Sequence, residues 1–95
     1  MSKVFEPNAD HILAVSTTSA ELQTMSATDS QVRIHNGTSG LVHVCWGTTA
    51  QTATVSMRPI GAGQTECFTK NNATRLAAIM AAGSGTIYIT TGLGA

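Results

Sequence analysis

Gln31-Val-Arg-Ile-His-Asn-Gly-Thr-Ser-Gly-Leu-Val-His-Val-Cys-Trp46 is the stretch that decides the fold. Its first five residues alternate polar and apolar, which places Val32 and Ile34 on one face of a strand. Asn36 to Gly40 then supplies residues that accept positive φ, the usual chemistry of a hairpin connection. In Leu41 to Trp46, Val42, Val44 and Trp46 share one face, and Leu41, His43 and Cys45 share the other. A hairpin closed over residues 36–40 stacks the first set beside Val32 and Ile34. Gly47 ends the second strand.

The same pattern recurs along the chain at spacings typical of sandwiches and barrels. His11 to Ser16 is a strand entered from the Pro7-Asn8 turn. Ala20 to Met25 is a weaker one, with a short helical turn as its alternative. Ala53 to Met57 is a strand stopped by Pro59, since proline removes a ladder donor. Ile60 to Gly63 is a turn before the strand Gln64 to Thr69, and Lys70 to Thr74 is a polar loop. Arg75 to Ala81 has helical propensity, but Leu76, Ala78 and Met80 separate by parity from Ala77 and Ile79, so it is read as a strand. Thr86 to Thr91 closes the set, with Ile87 and Ile89 facing one way and Tyr88 the other.

Long crossover connections are absent, which disfavours a parallel sheet. The expected fold is all-β: a compact antiparallel β-sandwich or small barrel, jelly-roll-like, of seven to eight short strands. Its core is Val32, Ile34, Val42, Val44, Trp46, Ile87 and Ile89. Residues 11–95 form one domain. Residues 1–10 precede the first clear strand and are read as an N-terminal arm, with Val4 and Phe5 as its partner-binding anchor.

Charged residues make up 11% of the 95, well under the usual quarter, and formal net charge is zero. The stretches Ile34 to Met57 and Leu76 to Ala95 contain no Asp, Glu, Lys or Arg. A surface built from Thr, Ser, Ala and Gly is expected to be covered by neighbours in an assembly. Thr52, Thr54, Thr86 and Thr90 are expected on faces turned away from the core. Lys3, Arg33, Arg58, Lys70 and Arg75 are scattered, which disfavours nucleic acid as a partner. Met1-Ser-Lys-Val-Phe-Glu-Pro7 lacks the apolar core of a secretory signal, and no run reaches membrane-spanning length, so no membrane partner is expected.

The run Val32-Arg-Ile-His-Asn36, the glycine-bearing turn after it, Val42-His-Val-Cys-Trp-Gly47, Ile60-Gly-Ala-Gly63, the Phe68 strand and the closing Gly85-Thr-Ile-Tyr-Ile-Thr-Thr-Gly92 resemble small structural proteins of tailed-phage virions, of the capsid cement or decoration type. The resemblance covers residues 30–94. It implies a subunit that stabilises the head by binding between capsomers, with the major capsid protein as partner. It also implies a homo-oligomer, trimer favoured and dimer possible, located in the virion after synthesis in the host cytoplasm. The alternatives are another minor virion component, at the head–tail junction or the tail, and a carbohydrate-binding sandwich module for host attachment.

Catalytic, cofactor and metal residues are not expected, and the chain is not read as an enzyme. His35, His43 and Cys45 could meet across a hairpin, but no metal-ligand spacing accompanies them. Cys45 with His43 is disfavoured as a nucleophilic pair, because residues two apart on a strand sit about 7 Å apart. Cys45 and Cys67 are read as reduced, largely buried thiols. Glu6, Asp10, Glu21, Asp29 and Glu66 form no paired-carboxylate signature. Trp46 is read as core, and Trp46 or Tyr88 would have to be exposed for sugar binding.

Overall fold

The computed structural model describes residues 6–93. Eight strands follow in order: β1 (Glu6–Val15), β2 (Ala20–Leu22), β3 (Gln31–Asn36), β4 (Val42–Gly47), β5 (Arg58–Ile60), β6 (Thr65–Thr69), β7 (Arg75–Met80) and β8 (Gly85–Leu93). They form two four-stranded antiparallel sheets, β1-β8-β3-β6 and β2-β7-β4-β5. Only β4 and β5 are both consecutive and paired; the other connections pass from one sheet to the other. This is the order of an eight-stranded jelly roll.

The Gln31–Trp46 stretch holds two strands, as its alternation requires, but it is not a hairpin. β3 pairs with β6 and β8, whereas β4 pairs with β5 and β7. Residues 37–41 arch between the sheets. The cause is Asn36, which is fully buried. Its Nδ2 donates to the carbonyls of Gly40 and Ile60, both at 2.8 Å, and its Oδ1 accepts from the backbone N and the hydroxyl of Thr38. A side chain with all four hydrogen-bonding positions filled locks the arch. Gly37 does not adopt the positive φ a hairpin turn would demand. It is needed because a Cβ there would meet Tyr88 Cε2 at 2.8 Å and the Thr86 carbonyl at 2.9 Å.

Parity survives this change of topology. Val32, Ile34, Ile87 and Ile89 point inward from one sheet, and Val42 and Val44 from the other, all of them buried. Val15, Met25, Ile60, Leu76, Ala78 and Met80 complete the core. Trp46 is the exception among the expected core residues: it packs against the cluster but stays partly exposed at its margin.

Three boundaries differ from expectation. Ala53 to Met57 is not a strand; it belongs to a loop over 48–57 that lies on the outer face of the β2-β7-β4-β5 sheet. Pro59 does not stop a strand but sits inside β5, opposite His43, at the edge position where a missing donor is tolerated. Asp10 does not end an arm, because Glu6–Asp10 is the first half of β1 and pairs with the end of β8. The anchor residues Val4 and Phe5 lie outside the described residues.

β7 is apolar on both parities because both its faces are covered. Leu76, Ala78 and Met80 enter the core, while Ala77, fully buried, lies on the opposite face under the 48–57 strap. The strap is held by the Gln51 N–H on the Glu21 carboxylate, by the Ala53 N–H on the Ser19 hydroxyl, and by His43 Nδ1 against the Met57 carbonyl.

Candidate functional site

The solvent face of the β1-β8-β3-β6 sheet is built by the residues that alternate with the core. Register places Ile12 beside Tyr88 and Tyr88 beside His35, one row across three strands. The next row runs Asp10, Thr90, Arg33 and Cys67. Ile12 is 70% exposed and Tyr88 48%, high for large apolar side chains. Tyr88 and His35 hold their ring centroids 6.1 Å apart, His35 Nδ1 meets the Thr65 hydroxyl at 2.7 Å, and the Thr90 hydroxyl donates to Asp10. The sheet therefore presents a flat apolar-aromatic strip edged by one acid and one base.

The opposite sheet offers no such face, because the strap already occupies it. Thr52 and Thr54, expected on an outward strand face, sit in that strap; Thr86 and Thr90 are on the open face as expected. Glu21 anchors the strap and also takes a hydrogen bond from Gln23 and an ion pair with Arg75 at 3.3 Å. The Gln51 N–H is the main cause that lowers the Glu21 carboxyl below its ordinary value.

The cysteines are separated by the sandwich. Cys45 lies on β4 with its Sγ 3.8 Å from the Thr52 carbonyl, and burial pushes its thiol up. Cys67 lies on edge strand β6 and is exposed, contrary to the expectation that both are buried. Both are free thiols. His35 and His43 are on different sheets, so the His35, His43 and Cys45 grouping does not converge. Among the described residues no group of three or more His, Cys, Asp or Glu could hold a metal ion.

At the margin between β5 and β6 an open groove of about 530 Å³ is lined by Val44, Cys45, Trp46, Met57, Arg58 and Thr69. The Trp46 and Phe68 rings are 4.9 Å apart, and the Arg58 guanidinium lies over both. With its face occupied by Phe68 and Arg58, Trp46 is not an open platform for a sugar ring. Two buried polar groups were missed in the sequence. Lys70 donates to the Ser26 and Ala73 carbonyls, both at 2.7 Å, and burial lowers its pKa while Asp29 opposes that shift. Asp29 accepts from Asn8 and Thr91. Both lie in loops beside strand ends, where the sequence shows only polar runs.

No family model matches the chain, and no curated protein matches it. Among solved structures, the fold is similar to a subunit of the Bacillus endospore appendages, described as a novel family of disulfide-linked pili. The match has a TM-score of 0.58 at 15% identity and covers 96% of this chain and 90% of the other. At that identity the likeness is one of fold. It overturns the phage reading: the structural neighbour is a bacterial endospore appendage, so the capsid cement role, the virion location and the major capsid protein as partner are withdrawn, and the likeness gives no support to the tail-associated and host-attachment alternatives.

Proposed function

We propose that this chain is a structural subunit of a self-assembling filament whose copies are joined through Cys67. The observation that carries the reading is the shared jelly roll, which spans nearly all of both chains and belongs, in the other protein, to a disulfide-linked pilus. Supporting it are the low charge of the chain and the exposed Cys67 thiol on edge strand β6. Cys45 is the poorer linker, since burial holds it in the less nucleophilic thiol form.

Two Cys67 thiols from separate copies exchange with a disulfide oxidant such as oxidised glutathione. The oxidant takes two electrons and two protons and leaves as two thiols, and one Sγ–Sγ bond joins the copies. Such a bond persists in an oxidising setting. The test is oxidation of the purified chain, read by non-reducing gel and by negative-stain electron microscopy. A covalent dimer that survives Cys45→Ser and vanishes in Cys67→Ser, with filaments in the oxidised sample, supports the reading. Unlinked chains without filaments reject it.

A further inference from the structure

We propose that the open face of the β1-β8-β3-β6 sheet is a twofold contact with a second copy of this chain, centred on Tyr88. The first argument is one of exclusion within the fold. One sheet has its outer face covered by the 48–57 strap, with Ala77 fully buried beneath it. The other leaves Ile12 and Tyr88 in solvent on adjacent strands. Exposed apolar side chains set side by side on a flat sheet mark an interaction surface.

The second argument is the placement of charge, and it selects the occupant. Asp10 and Arg33 lie in one cross-strand row, on either side of Thr90. A twofold axis running along β8, in the plane between two stacked copies, places β8 on β8 and β1 over β3. Each Asp10 then faces the Arg33 of the other copy, so a single operator makes two opposite-charge pairs. The same operator sets Ile12 over His35 and Tyr88 against Tyr88. A twofold contact must be self-complementary in this way.

Distances allow it. Aligned sheets pack about 10 Å apart, a gap filled by side chains of both faces. The usual twist of about 30° between packed sheets displaces strands 4.8 Å from the axis by roughly 2–3 Å, within the reach of an arginine. Four strands by three alternate positions give a footprint of about 400 Å² on each copy, hence about 800 Å² in all. That is less than the roughly 1,200 Å² of a durable interface, so an isolated pair is weak.

Cys67 sits at the β6 margin of the same face, two strands from the axis, and has no Cys67 opposite it. The sheet contact is therefore separate from the disulfide link and stands without it. Together, two different twofold contacts on one chain would generate an open row of copies rather than a closed pair.

The experiment uses the full chain carrying Cys67→Ser under reducing conditions, which removes the covalent link from the readout. Sedimentation is followed from micromolar to millimolar concentration, with thermal melts confirming that each variant folds. We expect a reversible monomer–dimer shift that weakens in high salt. Asp10→Arg and Arg33→Asp should each abolish it, the double variant should restore it, and Ile12→Asp should abolish it irrespective of the charges. A chain that stays monomeric to millimolar concentration, or a double variant that fails to regain association, overturns the proposal. Either result leaves the disulfide reading untouched, because that reading is decided by oxidation of the wild-type chain.

Discussion

The Asn36 side-chain amide donates to the backbone carbonyl of Ile60 at 2.8 Å, joining a strand of one sheet to a strand of the other. The same side chain holds Gly40 and Thr38, so one residue fixes the arch, the β5 edge and the spacing of the sheets. Asn36→Leu should cost about 3 kcal/mol or more, because it strands several buried partners at once. Urea unfolding measures it, and a midpoint equal to the wild type would show that the arch does not need the amide.

Ile87 and Val44 are buried in the core from opposite sheets. Ile87→Ala should cost about 2–5 kcal/mol, and Val44→Ala somewhat less for its smaller side chain. An Ile12→Ala change, on the open face of the neighbouring strand, should stay within about 0.5 kcal/mol. Thermal melts of the three variants check the assignment of inward and outward parity.

Lys70 holds two loops together through the Ser26 and Ala73 carbonyls. Lys70→Met keeps the aliphatic bulk but leaves those carbonyls and the nearby Asp29 without the ammonium. The loss should be about 3–5 kcal/mol, as for other buried charges deprived of a partner. Amide hydrogen exchange should show it first at residues 23–30 and 70–74.

Glu21 predicts an acid limb. Its folded pKa is lowered from 4.5, chiefly by the Gln51 N–H and further by Gln23 and Arg75, against an opposing effect of burial. A carboxylate with a depressed folded pKa contributes stability that is complete above its unfolded value and is lost as pH falls through the folded one. Stability should therefore fall below about pH 4.5, and Glu21→Gln should flatten that limb. Melting temperatures measured across the acid range, wild type against variant, decide it.

Much of this fold was legible in the alternation of side chains. Val32, Ile34, Val42, Val44, Ile87 and Ile89 could be assigned to the core because parity fixes a face whatever the partner strand. Parity says nothing of which strand lies alongside, and residues 36–40 carry turn chemistry that serves an arch as well as a hairpin. In the strap, Ala53 and Val55 alternate with polar residues, a period that a loop lying on a sheet can share with a strand. The apolar run of β7 did contain a sign of it, since a strand apolar on both parities must be covered on both sides. The exposed Cys67 was not legible, because burial of an edge-strand thiol depends on neighbours the local sequence does not name.

The placement of β7 and β8 bears on how the protein is made. Each of these last two strands lies in the interior of its sheet, β8 between β1 and β3, and β7 between β2 and β4. A chain emerging from the ribosome therefore carries four strands, β1 to β4, that still lack a central partner, whereas β5 and β6 find β4 and β3 already made. Neither sheet can close until residues 75–93 have emerged. Such late, distant pairings make for slow folding. They also leave the nascent strands exposed to one another across neighbouring chains, so the yield of native subunit should depend on how crowded its synthesis is.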